Sequence, residues 1–305
     1  MGNAAWKDKK LVVLVGPTAI GKTAAAISLA ERWNTEIISA DSRQIYREME
    51  IGTAKPTAEE LSRIKHHFIN FKSIEENYNA GQFGRDAMER INKLFEEKDV
   101  LILCGGSGLY IKALLEGFDE MPEIHEGLRK EIIEKYTQKG LTWLQGEVQK
   151  IDPDYFALVD VQNPQRLMRA LELNLSSGQP MHILRKKKKI ELPFQVTKIG
   201  LQLPREELYQ RIDLRMDQMI EKGLFEEAAR FYPQRHLNAL QTVGYQEIFG
   251  YMEKKYSREE AIRLLKRNSR HYAKRQLTWF KKDQEIKWTR PDEVLKEVTK
   301  EVDNS

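Results

Sequence analysis

The sequence predicts an α/β fold, a parallel sheet with crossover helices that is interrupted by a helical insertion. Three observations predict it. Short apolar, β-branched runs are each followed by a helical stretch; a glycine-rich turn follows the first run directly; and near residue 121 the chain turns polar and helix-patterned, with few strand signals. Strand and helix alternating in this way imply parallel pairing through crossovers. Continuous apolar strands, as opposed to alternating ones, fit a sheet covered on both faces.

In chain order, residues 11–15 (Leu-Val-Val-Leu-Val) read as a buried strand entering a turn, and the alanine-rich stretch 23–33 as a helix. Residues 36–40 read as a second strand that closes on Asp41-Ser42. A third, 100–104, is stopped by Gly105-Gly106, and 109–115 resumes as a helix. The insertion opens near Pro122 and closes with a basic run, 185–189, and Pro193. Residues 195–203 are expected to return to the sheet, 205–232 to form one long helix, and 258–282 another with Leu264, Leu265, Tyr272 and Trp279 facing inward. The expected organisation is therefore 1–120 as the first part of the core, 121–195 as the insertion, and 196–305 as the return to the core with the C-terminal helices.

The 305 residues, 41% of them apolar, are enough for one large domain or two modest ones. No apolar run approaches the ~18 residues of a membrane span, and residues 1–10 lack the apolar stretch of a secretory signal, so a cytoplasmic protein is expected. Cys104 is the only cysteine, which excludes an internal disulfide and a multi-cysteine zinc site. The net charge of +4 does not by itself point to nucleic acid. Its placement, in 185–189 and 258–282, fits either a solvated face or a grip on phosphates.

Gly16-Pro17-Thr18-Ala19-Ile20-Gly21-Lys22-Thr23 matches G-x-x-x-x-G-K-[ST] with a strand before it and a helix after it, so the core is expected to be P-loop NTPase-like. The loop's backbone N–H groups and the helix N-terminus attract an anion. Lys22 can reach terminal phosphate oxygens, and the Thr23 hydroxyl suits a Mg2+ ion already held by phosphates. ATP or GTP is the usual occupant of such a loop. A Walker B acid is missing, however: the apolar run 100–104 leads into Gly105-Gly106-Ser107-Gly108. The acid stands instead at Asp41, expected at the end of a strand beside the P-loop strand, where ligands of open α/β sheets bind. Asp-Ser is also a common cap or turn, so a capping role stays open.

Residues 16–23 together with Asp41-Ser42-Arg43-Gln44-Ile45-Tyr46-Arg47 and Ile51-Gly52-Thr53-Ala54-Lys55-Pro56 closely resemble the tRNA dimethylallyltransferases. So do residues 105–114, 165–172 (Gln-Arg-Leu-Met-Arg-Ala-Leu-Glu), Gly244-Tyr245 and 272–279 (Tyr-Ala-Lys-Arg-Gln-Leu-Thr-Trp), in the family's order along nearly the whole chain. Ser107 departs from a usual threonine and Asn79 from a common serine. The resemblance implies transfer of dimethylallyl from its diphosphate to N6 of the adenosine immediately 3′ of the anticodon, in tRNAs reading codons that begin with U. With one cysteine the chain resembles the bacterial form, which has no zinc finger.

The resemblance further implies Asp41 as general base, with Lys22, Thr23 and Arg215 at the diphosphate. It implies Asp41, Ser42, Arg43 and Gln44 at the adenosine's entry, and Ser107, Arg129, Gln165, Arg166, Leu167, Met168 and Arg169 in contact with the anticodon stem-loop of tRNA. On the residues alone, Arg215 reads as an exposed helix arginine paired with Asp213 or Asp217, and Gln165 and Arg166 as helix surface. No membrane partner is expected, and a monomer is. Two other functions fit parts of the pattern: a small-molecule or nucleotide kinase on the same core, and a non-catalytic RNA-binding NTPase.

Overall fold

The computed structural model describes residues 6–118, 121–122, 126–184 and 190–303; the basic run 185–189 lies outside the described residues. The chain divides into two compact units, one of residues 1–115 with 191–305 and one of 116–190.

The first unit is built on six parallel strands. In chain order its early elements are β1 (Lys10–Val15), α1 (Lys22–Arg32), β2 (Ile37–Ser39), α2 (Ala58–Arg63), β3 (His66–His67), α3 (Ala80–Phe95), β4 (Val100–Gly105) and α4 (Gly108–Glu116). The sheet order is β3-β2-β4-β1, followed by the two later strands given below. β1 shows why its residues are apolar without alternation. Leu11, Val13 and Val15 enter one core cluster and Val12 and Leu14 the other, so both faces of the strand are buried. β4 divides in the same way, with Leu101 and Leu103 on one side and Val100 and Ile102 on the other. Truncating such a residue to alanine costs about 2–5 kcal/mol.

One expectation is corrected here. β2 does not lie beside β1; β4 lies between them, pairing with both. The chain leaves β1, skips a position to form β2 and later fills the gap, which the sequence of elements alone does not reveal. At α3, the Asn79 departure is harmless because its side chain accepts from Gln82 N at 3.0 Å and Gln82 Oε1 accepts from Asn79 N at 2.9 Å. Asparagine is as good a capping residue as serine.

The second unit is helical: α5 (Glu126–Ile151), α6 (Pro153–Phe156), α7 (Pro164–Ser177) and α8 (Met181–Leu184). Gly140, at φ 74°, breaks α5 into two arms. The core is Ile132, Leu144, Val148, Tyr155, Leu167, Leu171 and Met181 among others. Buried Asp152 ties the start of α6 to α8, accepting from Tyr155 N at 3.0 Å and from His182 at Nδ1, 2.6 Å.

The chain then completes the first unit with β5 (Gln195–Leu201), α9 (Arg205–Glu221), α10 (Leu224–Phe231), α11 (Tyr245–Met252), α12 (Arg258–Phe280), β6 (Lys287–Thr289) and α13 (Val294–Asp303). β5 pairs with β1, and β6 with β5. The single helix expected over 205–232 is two, because Gly223 takes φ 98° between them. α12 buries Ala261, Leu265, Ser269, Ala273, Gln276 and Phe280, one stripe at three- and four-residue spacing. Trp279, expected inward, stands off that stripe and is 39% exposed.

Candidate active site

The site grows from the carboxyl ends of β1, β2 and β4, as an open parallel sheet favours. After β1, residues 16–21 wrap into α1, whose N-cap Gly21 (φ 100°) supplies no side-chain cap. The helix N-terminus is thus left to whatever anion approaches. Ala19, though not glycine, sits at φ 64° to close the loop. Within the motif Pro17 has no N–H, and the Ile20 side chain is fully buried in the core, so these two shape the loop without offering it a side-chain ligand. Lys22 Nζ donates to the Pro17 carbonyl at 2.8 Å, across the loop. Burial brings the Lys22 ammonium down to about 8, with Arg215 adding to the effect and Cys104 and Asp41 opposing it. Burial also pushes the Cys104 thiol up to about 12, so it is no nucleophile. The Thr23 hydroxyl, in the first turn of α1, has no hydrogen-bond partner among the described residues.

Arg215 reaches this loop from α9. Its Nη2 donates to Thr18 Oγ1, and burial lowers its pKa while the Asp41 carboxylate opposes that shift. The pairing with Asp213 or Asp217 is not formed: Asp213 holds Arg270 at 2.6 Å and Asp217 holds Lys266 at 2.7 Å, both on α12. The acids beside Arg215 in sequence are therefore occupied, and its guanidinium is left for the phosphate loop.

Asp41 follows β2 and does two things at once. Its Oδ1 accepts from Arg43 N at 2.9 Å and Gln44 N at 3.3 Å, the turn-capping role. Its Oδ2 has no partner among the described residues. The side chains around it are braced from afar. Ser107 Oγ accepts from Ser42 N at 2.9 Å and donates to Ser42 Oγ at 3.2 Å. Arg43 spends its guanidinium on the carbonyls of Asn238, at 2.8 Å, Ala239 and Gln241. Gln44 Nε2 donates to the carbonyls of Thr53 and Ala54 at 3.2 and 3.1 Å.

The Gly105-Gly106 step that replaces a Walker B acid is a packing requirement. A Cβ on Gly105 would lie 2.2 Å from the Ala40 carbonyl, and one on Gly106 2.3 Å from Gln276 Nε2. Gln276, buried on α12, accepts from Thr18 N at 2.9 Å and donates to Gly106 O at 3.0 Å, tying the phosphate loop to the end of β4. Tyr272, one turn earlier, has its phenol pushed up to about 12 by burial and by the neighbouring Asp41 carboxylate. Residue-by-residue reading missed Gln276 as a site residue and took Tyr272 for core. The signal was present in the 272–279 block, which the sequence singles out without assigning a role to either residue.

In the helical unit, Asn163 caps α7 by accepting from Arg166 N at 3.2 Å. Gln165 and Arg166 are exposed on its first turn. Leu167 is fully buried in that unit's core and Met168 packs against the same cluster, so neither offers the polar surface expected of a nucleic-acid contact. Arg129 and Arg169 flank the buried Glu172 carboxylate, at 3.3 and 3.5 Å, with the Arg129 side chain exposed and that of Arg169 partly so. Among the described residues no cluster of three or more His, Cys, Asp or Glu could hold a metal by itself, and no helix is long and apolar enough to cross a membrane.

The sequence model of the family described as IPP transferase matches residues 44–283. A tRNA dimethylallyltransferase of Cytophaga hutchinsonii is 52% identical over 292 residues, 96% of this chain and 96% of that protein. Among solved structures, the full-length tRNA isopentenylpyrophosphate transferase of Bacillus halodurans superposes with a TM-score of 0.71 at 37% identity, covering 98% of each chain. A eukaryotic dimethylallyltransferase, captured acting on tRNA, gives 0.73 at 27% identity, over 89% of this chain and 70% of that one.

Proposed function

The chain belongs to the IPP transferase family, and from that premise we propose that it transfers dimethylallyl from dimethylallyl diphosphate to N6 of the adenosine immediately 3′ of the anticodon, in tRNAs reading codons that begin with U. The observation that carries the reading is one end of one sheet bearing a phosphate loop with Lys22 and Arg215, and a carboxylate, Asp41, with one oxygen uncommitted.

In the reaction the bond between dimethylallyl C1 and the diphosphate oxygen breaks, the diphosphate keeps the electron pair, and N6 bonds to C1. The loop amides, Lys22 and Arg215 meet the charge that grows on the leaving diphosphate, so they favour the transition state over the ground state. Asp41 accepts the N6 proton on Oδ2 while Oδ1 keeps the turn in place. A positioned base of this kind contributes typically 10²–10⁴-fold. The Thr23 hydroxyl, without a hydrogen-bond partner among the described residues, would hold a Mg2+ ion that arrives with the diphosphate, and such an ion would supply positive charge against the leaving group.

Ser42 and Gln44, with Ser107 behind them, receive the adenine, which leaves the anticodon-loop stack to reach a recessed site. Arg43 shapes this entry by holding the turn at 238–241 and not by reaching for the base. Arg129, Gln165, Arg166 and Arg169 contact the anticodon stem-loop, and the enzyme works as a monomer in the cytoplasm. The kinase alternative is set aside: the relatives are named for transfer of a prenyl group to tRNA and not of a phosphoryl group, and glycine packing occupies the Walker B position. The test is radiolabelled dimethylallyl diphosphate mixed with unmodified tRNA in the absence of ATP. Labelled tRNA is expected, with the label on one adenosine. No labelled tRNA, with ATP consumed in a parallel mixture that contains it, would overturn the reading.

A further inference from the structure

We infer that Glu227 and Tyr245, far from the reacting atoms, are positioning residues that set Gln44 for transfer. This rests on the reading that Gln44 receives the adenine.

Glu227, on α10, is 1% exposed and carries a carboxylate into the core. Its Oε2 accepts from the backbone N–H groups of Glu50, at 3.1 Å, and Ile51, at 2.9 Å. Its Oε1 accepts from Gly52 N at 2.8 Å and from the Tyr245 hydroxyl at 2.6 Å. Three consecutive amides thus close on one carboxylate, the arrangement with which backbone nests hold an anion. Here the anion is a side chain 175–177 residues away in sequence. Burial and the adjacent carboxylate both push the Tyr245 phenol upward, so it stays a donor. The fit is close: a Cβ on Gly52 would lie 2.5 Å from the Tyr245 ring and hydroxyl.

The clamped residues lead directly into Thr53 and Ala54, and Ala54 is held at φ 48°. From the other end Lys55 Nζ donates to Tyr46 O at 2.6 Å. The two carbonyls that take the Gln44 amide N–H groups are those of Thr53 and Ala54. They determine which end of the carboxamide is committed: the NH2 faces the loop, and Oε1 is left without a protein partner among the described residues. An amide oxygen is an acceptor, the complement of the adenine N6–H donor. Gln44 N in turn donates to Asp41 Oδ1. The Glu227–Tyr245 clamp therefore acts on the loop, the loop on Gln44, and Gln44 on the adenine.

The experiment uses the full chain and four variants: Tyr245→Phe, Glu227→Gln, Gln44→Ala, and Tyr245→Phe combined with Gln44→Ala. Single-turnover transfer to saturating tRNA, KM for dimethylallyl diphosphate and thermal melting are measured for each. Tyr245→Phe keeps the ring and removes one hydrogen bond. Its rate constant is expected to fall roughly ten- to a hundredfold, the usual effect of misplacing a group from a distance, with KM for the diphosphate within twofold of the starting protein. Glu227→Gln, which turns an N–H toward N–H donors, is expected to fall further. The double variant is expected to be no slower than Gln44→Ala alone, because a chain of contacts broken once is not broken twice. Unchanged transfer in Tyr245→Phe, multiplying losses in the double variant, or KM rising in step with the lost rate would each overturn the inference. If Gln44→Ala itself transfers at full rate, the reading of Gln44 falls and takes the inference with it; if Gln44→Ala is slow while Tyr245→Phe is not, the inference alone falls.

Discussion

The phosphate side and the acceptor side of the site are assembled on different principles. The phosphate side is eight consecutive residues, and its internal tie, Lys22 to the Pro17 carbonyl, spans five. The acceptor side is also short in sequence, 41–44, but its shape is imposed from outside. Ser42 is braced by Ser107, 65 residues on; Arg43 by carbonyls 195–198 residues on; and Gln44 by a loop clamped from α10. An anion is bound by backbone dipoles that any strand–turn–helix of suitable composition presents. A base must be met by side chains at defined angles, which a short turn cannot hold alone.

The largest effect, and the sharpest way to break this contrast, is at Asp41, where capping and the proposed proton acceptance share one carboxylate. Asp41→Ala removes both and should lower single-turnover transfer by about 10²–10⁴-fold. Asp41→Asn keeps a carbonyl oxygen to accept from Arg43 N and Gln44 N but cannot take a proton. It should melt like the starting protein and transfer nearly as slowly as the alanine variant. Near-normal turnover in Asp41→Asn would reduce Asp41 to its turn.

Lys22 comes next, on the phosphate side. Its ammonium pKa is about 8 in the fold against 10.5 in a free lysine, so between those values the unfolded chain binds the extra proton. Stability should therefore rise with pH across that window, and the unfavourable burial of charge is fully present below pH 8. Lys22→Met should remove this slope and raise the melting temperature at pH 7, while KM for dimethylallyl diphosphate rises by at least tenfold (~1.4 kcal/mol). In the unaltered enzyme the same KM should climb as pH passes upward through 8. A flat KM profile from pH 7 to 9.5 would show that Lys22 does not meet the diphosphate as a cation.

How much of this was legible follows the same division. β1, the phosphate loop, α1 and β4 are written as local runs, because a strand buried on both faces needs every residue apolar. The two-residue β3 and three-residue β6 carry no such run and were missed. Gly223 breaks what periodicity reads as one helix, since a helical pattern does not record a positive φ. The placement of β4 between β1 and β2 is a property of the crossover, not of either strand. Trp279, expected inward, stands one position off the buried stripe of α12. The Arg43 tie and the Glu227 clamp join segments more than 170 residues apart, and nothing in either segment names its partner.

Gln276, like Arg215, ties the phosphate side to a distant helix, and it tests whether that side is as self-contained as its motif. Gln276→Ala leaves Gly106 O without its partner in a buried place, which costs about 1–3 kcal/mol, and frees the half-buried Thr18 N, which costs less. Denaturant midpoints should fall accordingly, and KM for the diphosphate should rise only severalfold, with the transfer rate at saturation nearly kept. A hundredfold loss of rate at saturation would mean that the phosphate loop, like Gln44, is set from a distance.

The smallest expected effect separates docking, proposed for the helical unit, from base handling, proposed for residues 41–44. Arg166 is exposed on the first turn of α7 and its guanidinium pairs with no acid among the described residues, so in the proposed role it meets tRNA phosphate and nothing else. Each such contact releases counterions and adds ~0.7 to the negative slope of log affinity against log salt, taking single-strand values for the anticodon loop. Arg166→Gln should therefore flatten the slope by about that amount and weaken tRNA binding a few-fold at low salt, with the gap closing as salt rises. Arg169 and Arg129 share their charge with buried Glu172, so neutralising either should flatten the slope less. None of the three changes should alter which adenosine receives the dimethylallyl group, because phosphate contacts position the RNA without reading it. Filter binding across a salt series, run beside single-turnover transfer at saturating tRNA, measures both quantities. Arg166→Gln should lose affinity and keep its rate, and Gln44→Ala the reverse; equal losses of both in both variants would mean that docking and base handling are one surface.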